Sequence, residues 1–316
     1  MSDIKFYDFE FNLLHTEPRF ISSRWNLKYN DVGTFEAHFP LESDVLNVVL
    51  NNRYIVIEQD GNTAVYIGPD VSTELVVYGR TCNWLLSKKV TKPCSIDGTF
   101  DKVVYDLLAK SFGSAVSKGI YPSSADFFSF KEDKSLLTSD AVKKCLDTKK
   151  CGQQLRFEPR EKKWYFDIIA GKEKNVLLSE ANRNAYDTKL NYDLLDYANC
   201  GYYEYESTSE AGKLIQTFVS NWDSEPDTMK KWEALFSADT VDKAKQELET
   251  KVDKNQSGCS VRGLNFGNDY GLGDIVRMQI VKGSYAVTLK RRIAEMELRY
   301  EGSGGVRTET PSFEEI

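Results

Sequence analysis

Hydrophobic and polar residues alternate along the first part of the chain. Apolar residues take every second position on both sides of a short glycine-containing loop: Trp25, Leu27 and Tyr29 precede it, and Phe35, Ala37 and Phe39 follow it. A period of two on both sides of such a loop predicts a β-hairpin. Further strand-like runs follow at residues 54–57, 63–67 and 75–79. Five or more short strands without intervening helices predict a small barrel or sandwich over residues 1–94.

The hydrophobic period changes to that of a helix after residue 94. One helical face carries Phe100, Val103, Val104, Leu107 and Leu108, with Asp97 or Thr99 as the N-terminal cap. A second short helix is predicted over residues 139–146, and a hairpin over residues 154–168. Helices and a hairpin in one segment predict an α+β module over residues 95–190.

The last third of the sequence returns to strand patterns. Strands are predicted over residues 202–206, 214–219, 259–264, 275–280 and 285–300. A helix starting at Asp239 or Thr240 presents Val241, Ala244, Leu248 and Val252 on one face. The apolar phase of the last strand slips near Arg291 and Arg292, which predicts a β-bulge.

These patterns predict a mainly β fold with an α+β insert, in which two small β-barrel domains flank the α+β module. The domains are expected at residues 1–94, 95–190 and 191–301, and the third contains one helix. We expect the two β regions to share one barrel topology and to superpose by pseudo-twofold repetition, as separate sheets rather than one shared sheet. The Gly-, Ser- and Glu-rich segment 302–316 is expected to be a flexible tail.

Composition and charge exclude several classes of protein. The chain has 316 residues, of which 41% are hydrophobic, so it is not a disordered chain. Its 41 basic and 48 acidic residues give a net charge of −7, which argues against stable nucleic-acid binding. No apolar run is long enough for membrane insertion. The six cysteines have no repeated short spacing, and no export signal is visible, so we expect reduced thiols in a protein made in the cytoplasm.

The sequence offers little material for catalysis. Its two histidines, His15 and His38, have no cysteine or carboxylate partner at catalytic or zinc-ligand spacing. Cys145 and Cys151 do not form a CxxC motif, and no phosphate-binding glycine loop occurs. We therefore expect no catalytic residue, no metal and no cofactor. The basic stretch 143–163 has two open interpretations, a partner-facing patch or a solvated helix end and hairpin tip.

The most specific segment of the sequence lies near its C-terminus. Gly271 and Gly273 permit a tight turn, Asp274 can accept hydrogen bonds from neighbouring amides, and Ile275 and Val276 enter the core. The long strand that follows contains Arg292, Ile293 and Glu295.

This order of motifs resembles the C-terminal signature of the baseplate hub, or tail-associated, proteins of bacteriophages and phage-tail-like particles. Gly33, Phe35 and Pro40 are similar to an early strand motif of that family, and Asn199 is similar to a feature before its second barrel. The sequence departs from the family at Tyr202–Glu206, where a Gly-rich loop is common, and this leaves the loop's partner open.

The resemblance implies a non-enzymatic structural protein at the virion tail tip or baseplate, assembled in the host bacterial cytoplasm. It implies a homotrimer whose six barrels form a pseudo-hexameric ring between the tail tube and the tip. The implied partners are a tail tube or distal tail protein, a spike or fibre-bearing tip protein, and the end of the tape-measure protein. Two alternatives remain open: a tail-associated peptidoglycan hydrolase, and a hexameric distal tail or tube ring protein.

Overall fold

Two compact units make up the chain. The computed structural model describes residues 3–122, 125–206, 213–238, 240–251, 254–302 and 307–316, and it describes residues 254–256 without their side chains. The large unit comprises Met1–Thr188 and Gly258–Ile316, and the small unit comprises Lys189–Ser257. The expected domain 191–301 is therefore divided, because its residues 258–301 belong to the large unit.

Strands dominate the described chain. The strands up to the α+β module are β1 Ile4–Asp8, β2 Leu13–Glu17, β3 Ser22–Lys28, β4 Thr34–Phe39, β5 Ile55–Gln59, β6 Asn62–Val71, β7 Leu75–Thr81, β8 Val90–Thr91 and β9 Cys94–Thr99. Those that follow are β10 Val116–Lys118, β11 Phe127–Glu132, β12 Leu136–Leu137, β13 Gly152–Glu158, β14 Lys163–Ile169, β15 Glu173–Leu178 and β16 Ala185–Asp193. The remaining strands are β17 Cys200–Glu206, β18 Leu214–Ser220, β19 Glu233–Phe236, β20 Lys254–Val261, β21 Ile275–Lys282, β22 Tyr285–Glu301 and β23 Thr308–Glu314.

Few helices accompany these strands. The α-helices are α1 Val45–Asn51, α2 Phe100–Phe112, α3 Thr138–Thr148 and α4 Val241–Glu249, and 3-10 helices cover Cys82–Lys88 and Thr228–Lys230. The mainly β class with an α+β insert is confirmed. The predicted helices match α2, α3 and α4, whereas α1 falls in a region where the pattern predicts only strands. Val45 and Val49 lie one helical turn apart and are both buried, which stabilises this short helix.

Thirteen of the described strands form one sheet. Its order is β16-β20-β23-β22-β3-β4-β7-β6-β5-β1-β2, and β21 joins β15 to β22 beside this path. The predicted hairpin is confirmed, because β3 and β4 are antiparallel with Trp25 opposite Phe35. The predicted bulge is also present, as an irregularity in the pairing of β22 and β23 between Ile293 and Glu295.

The two β regions are not separate sheets, so the prediction of separate sheets is wrong. Strand β3 pairs with β22, with Leu27 opposite Met296 and Trp25 opposite Leu298. All four side chains are buried, so the pairing continues one apolar face from the first region into the last. The described strands form no closed barrel.

The C-terminal segment is not a flexible tail over its described part. Residues 308–314 form β23, which pairs with β22 along most of its length. Glu309, Pro311 and Phe313 are buried while the residues between them are exposed, so the segment has the alternation of a half-buried strand. Residues 303–306 of the expected tail lie outside the described residues.

The α+β module shares a core with the first β region of the large unit, because Val56, Val65, Cys82 and Leu86 belong to the same buried cluster. Strand β14 pairs with β13 and β10, helix α2 packs against β10, and helix α3 packs against α2. The buried side chains of this core include Phe100, Leu107, Leu146 and Phe166. The predicted hairpin over residues 154–168 is confirmed as β13 and β14.

The small unit is one sheet covered by one helix. Its strand order is β18-β17-β19, and β19 is an unpredicted parallel neighbour of β17. Helix α4 covers one face of this sheet, where Tyr203, Val219, Phe236 and Leu248 are buried. Thr240 caps the helix by accepting a hydrogen bond from the Lys243 amide, at 3.4 Å. The other predicted cap, Asp239, and Val252 lie outside the described residues.

Candidate functional site

The two histidines of the chain lie beside carboxylates. Both nitrogens of His38 lie near carboxylates, 2.8 Å from Glu74 and 2.9 Å from Glu36. His15 lies 3.6 Å from Glu17. Within the described ranges, no group of three or more His, Cys, Asp or Glu residues could hold a metal ion. No helix in the same ranges has the length and apolar character to cross a membrane.

The six cysteines are free thiols. Burial raises the pKa of Cys82, Cys145 and Cys259 to about 12, and it also raises the pKa of Cys151. A thiol must ionise to act as a nucleophile, so these positions disfavour thiol chemistry.

The C-terminal motif makes a tight turn into β21. The Asp274 carboxylate accepts hydrogen bonds from two amides, that of Lys172 at 3.0 Å and that of Gly271 at 2.9 Å. The motif is also tied to β22, because the Gly273 amide donates to the Ile293 carbonyl and the Ile293 amide donates to the Asp274 carbonyl, at 2.8 and 3.0 Å. Asp274 therefore has the amide-binding role that the sequence predicts.

The two glycines of this motif have different roles. Gly273 has a φ of +81°, and a Cβ atom there would lie 2.1 Å from the Tyr29 ring. Gly271 has no positive φ, and a Cβ atom there would meet only the Asp274 side chain, at 3.7 Å. Gly273 alone needs to be glycine for the turn and the close approach.

Tyr29 lies at the centre of this junction and was missed as a site residue. Its hydroxyl donates to the Ile169 carbonyl at 2.7 Å and accepts from the Gly171 amide at 3.3 Å. Its own amide donates to Ala294 of β22, at 2.8 Å. The Arg292 guanidinium carbon lies 5.5 Å from the centre of its ring. The contacts of Tyr29 thus connect β22, the C-terminal motif and the α+β module within the large unit.

The only feature of the sequence that points to this junction is a set of glycines in distant segments. Glycines stand at positions 152, 171 and 273, and a Cβ atom at Gly152 would also meet the Tyr29 ring, at 2.2 Å. Glycines that recur in distant segments can mark one close approach. Nothing in a single sequence shows that Gly152 and Gly273 meet the same side chain, or that Gly171 lies against the Gly273 backbone.

Other predicted motif residues of the large unit have structural partners. Val276 and Ile293 are buried, the Ile275 amide donates to the Lys172 carbonyl at 2.9 Å, and Glu295 lies 3.2 Å from Lys28. Phe35 is buried with its ring centre 4.4 Å from that of Trp25. A Cβ atom at Gly33 would lie 2.0 Å from the Asn26 carbonyl oxygen, so this position admits only glycine.

Asn199 is in the small unit, where it holds the start of β19. Its side-chain oxygen accepts from the Trp232 amide at 2.9 Å, and its side-chain nitrogen donates to the Lys230 carbonyl at 2.7 Å. Its backbone amide donates to the Trp232 carbonyl, at 3.0 Å. Asn199 thus fixes the backbone at residues 230–232, and none of these hydrogen bonds involves the C-terminal motif.

Much of the basic stretch 143–163 is engaged in ion pairs. The pairs are Lys143–Asp31, Lys144–Glu132, Lys149–Asp126 and Arg156–Asp167, at 4.0, 2.6, 3.1 and 3.0 Å. This pairing favours the interpretation of a neutralised, solvated surface over that of a partner-facing basic patch.

Among the described residues, each unit has an exposed apolar surface of particular interest. The first, here called the open face, is the side of the β18-β17-β19 sheet opposite α4. Tyr202, Phe218 and Leu235 form a row across it, because Tyr202 is in register with both other residues. Phe218 and Leu235 are exposed, Leu235 by 73%.

The second surface, here called the Arg53 groove, lies in the large unit. It has a volume of about 710 Å³, and its wall includes Leu50, Tyr54 and Ile67, which are all exposed. Arg53 and Lys88 line it, and no carboxylate does so among the described side chains. Exposed apolar surfaces of this kind often mark interaction sites.

Comparison with solved structures identifies the fold. The 43 kDa tail protein of prophage MuSo2 from Shewanella oneidensis is similar with a TM-score of 0.62 and 11% identity, over 99% of this chain and 98% of that chain. This chain has the fold of phage tail proteins. A tail protein of Neisseria meningitidis MC58 is similar with a TM-score of 0.59 and 11% identity, over 99% and 96% of the two chains.

The prophage tail protein gp18 of Listeria monocytogenes EGD-e has the same fold. Its TM-score is 0.57 at 13% identity, over 98% of this chain and 94% of that chain. No protein-family model and no curated protein sequence matches the chain. The resemblance that the sequence motifs suggest is thus confirmed at the level of the fold.

Proposed function

We propose that this protein is a structural component of the tail of a bacteriophage or a phage-tail-like particle. The observation that carries this proposal is the likeness to three tail proteins from end to end, because the 98%, 96% and 94% coverage of those chains leaves little of their fold unmatched. A fold hosts different functions, so the likeness supports the tail role without fixing a position in the tail.

Within the tail, we assign the protein to the baseplate hub. Support comes from the ordered motifs, since Asp274 and Gly273 build a junction that fixes the C-terminal strands to the α+β module. In this proposal, three copies form a ring that joins the tail tube or a distal tail protein to a spike or fibre-bearing tip, with the tape-measure end inside. In this proposal the two β regions of each copy, although they share one sheet, act as the two repeats that match a hexameric tube.

We further propose that the protein has no enzymatic activity. Its buried thiols have raised pKa values, and both nitrogens of His38 lie near carboxylates. These features disfavour thiol and histidine nucleophile chemistry, which leaves a carboxylate-based peptidoglycan hydrolase as the enzymatic alternative.

Cryo-electron microscopy of intact particles tests the position and the symmetry together. The chain should fit the density at the tail tip in three copies around the axis. Six copies in a ring would favour the distal tail or tube alternative, and absence from the tail would refute the proposal. A zymogram of the purified chain on cell walls tests the enzymatic alternative, and clearing would contradict a purely structural role.

A further inference from the structure

The small unit carries almost all of the net charge of the protein. Residues 189–257 contain eight lysines and no arginine, against 14 acidic residues, which gives −6 of the total of −7. The remaining residues are therefore close to neutral. Charge so unevenly divided between two parts of one chain favours electrostatic attraction of the acidic part to a cationic surface.

The open face combines this acidity with apolar side chains. Glu204 and Glu233 are exposed and lie two residues from Tyr202 and Leu235, so they border the apolar row on the same face. Glu206 is exposed on that face one step further along β17. No lysine or arginine has that parity within the described residues of β17, β18 and β19. The open face is therefore an apolar strip with an anionic rim.

The Arg53 groove has the opposite character. Its exposed apolar wall carries cations at Arg53 and Lys88. The Lys88 ammonium lies 4.2 Å from the centre of the Trp84 ring, so an aromatic face helps to hold it beside the groove. The groove therefore suits an apolar partner that carries carboxylates.

We propose that the open face of one copy of this chain docks into the Arg53 groove of a second copy. Each surface supplies what the other lacks, since Leu235 and Phe218 would cover Leu50, Tyr54 and Ile67 while the glutamates meet Arg53 and Lys88. The two surfaces are different, so the contact is head-to-tail, and such contacts close into rings or extend as filaments. The contact itself does not depend on the proposed function. Only the closure of the ring at three copies rests on that proposal.

Charge reversal with compensation tests this contact directly. Sedimentation velocity on the full chain, over its whole soluble concentration range and at several salt concentrations, would measure self-association. Reversing the groove with Arg53→Glu and Lys88→Glu, or the face with Glu204→Lys and Glu233→Lys, should weaken association by about tenfold or more, which is about 1.4 kcal/mol. The chain with all four substitutions should regain association, because its charges are again complementary.

Matched controls separate the interface from net charge. Lys110→Glu with Lys134→Glu, and Glu10→Lys with Glu42→Lys, make the same charge changes at exposed positions outside both surfaces. They should leave association within about twofold of the unsubstituted chain. A monomeric chain at every concentration, controls as damaging as the test variants, or a fourfold variant that fails to regain association would each overturn the inference.

The outcome is separable from that of the proposed function. Three copies at the tail tip together with no effect of the charge reversals would overturn the contact and leave the tail role standing. Compensated self-association in a protein that is absent from tails would support the contact and refute the tail role.

Discussion

The two units of this protein differ in how much of their apolar side-chain surface they bury. The large unit buries many side chains, among them Trp25 and Phe35 of its sheet and Phe166 in the core that the α+β module shares with the first β region. The small unit buries only a few around Phe236 and Leu248, and it exposes Phe218, Leu235 and others nearby. Small cores provide little stabilisation, so the small unit has less free energy in reserve than the large one.

The hydrogen bonds of the two units also differ, because those of the large unit join segments that are farther apart in sequence. In the large unit, Tyr29 and Asp274 connect segments that are more than a hundred residues apart in sequence. In the small unit, Asn199 fixes the beginning of one neighbouring strand. Long-range links make unfolding cooperative, whereas local links leave a segment free to open alone. The large unit therefore defines a rigid frame, and the small unit is suited to stabilisation by a partner.

The largest expected effect comes from equal truncations of the two cores. Phe166→Ala in the large unit and Phe236→Ala in the small unit each remove a buried ring, at a cost of about 3–5 kcal/mol. We expect the large unit to stay folded with lowered stability and the small unit to lose its structure. Hydrogen exchange read by mass spectrometry checks this, because protection should vanish in β17, β18 and β19 only for Phe236→Ala.

Two conservative variants, Phe166→Leu and Phe236→Leu, provide the control for this comparison. Each keeps an apolar side chain and should leave exchange protection in β17, β18 and β19 in place. Unfolding of both units together in Phe236→Ala would contradict the difference in stability drawn here.

The next effect concerns the junction of the large unit. Gly273→Ala would place a Cβ atom 2.1 Å from the Tyr29 ring at a φ of +81°, so we expect a loss of about 3 kcal/mol or more. Gly283→Ala is the matched control, because Gly283 has a φ of +60° with nothing within 4 Å of a Cβ atom. The control should lose only about 1–2 kcal/mol, which is what a residue other than glycine costs in the left-handed backbone conformation.

Urea denaturation followed by tryptophan fluorescence measures the two variants. Trp25, Trp84 and Trp164 report on the large unit, where both glycines lie. Equal losses for Gly273→Ala and Gly283→Ala would show that Tyr29 moves aside at no cost, and would contradict a tightly packed junction.

The same contrast explains which features the sequence could predict. The hairpin around Gly33, helix α2 and the bulge in β22 depend on neighbouring residues, and their hydrophobic patterns predict them. The hydrogen bond from the Gly271 amide to Asp274 was predictable for the same reason, whereas the one from the distant Lys172 amide was not. The Tyr29 junction was not, because its contacts come from segments whose meeting depends on the whole topology.

Two predictions were wrong for different reasons. The pairing of β3 with β22 joins strands from opposite ends of the chain, and no local pattern specifies which edge strands meet. Strand β23 was missed because its Gly-, Ser- and Glu-rich surroundings outweighed the alternation of Glu309, Pro311 and Phe313. Glu309 is a charged residue at a buried position, so it does not fit an apolar alternation in the sequence. In the structure it accepts a hydrogen bond from the Tyr270 hydroxyl at 2.6 Å.

A smaller effect is expected from the polar clamps of the two units. Asp274→Ala and Asn199→Ala each leave two backbone groups without a side-chain partner, at a cost of about 1–3 kcal/mol. Asp274→Ala should lower the denaturant midpoint of the large unit. Asn199→Ala should instead accelerate hydrogen exchange only around residues 230–236, and a shifted midpoint of the large unit in that variant would contradict its local role.

The smallest effect is a pH dependence that only the large unit should show, since His15 and His38 are the two histidines of the chain and neither lies in residues 189–257. Partial burial lowers the pKa of His38, but the hydrogen bonds and charges of Glu36 and Glu74 outweigh it and raise that pKa above 6.5. A raised folded-state pKa stabilises the protein below the unfolded value near 6.5, and this contribution is lost as pH rises through the folded value.

Because the three side chains are partly exposed, we expect the contribution to be at most about 1 kcal/mol. The difference in unfolding free energy between the unsubstituted chain and His38→Gln should be largest near pH 5 to 6 and should fade by about pH 8. Glu74→Gln should remove part of the same difference. A difference in unfolding free energy that stays constant across this pH range would mean that His38 acts as a neutral hydrogen-bonding group. A pH-dependent change in the hydrogen exchange of β17, β18 and β19 that His38→Gln removes would show that the effect is not confined to the large unit.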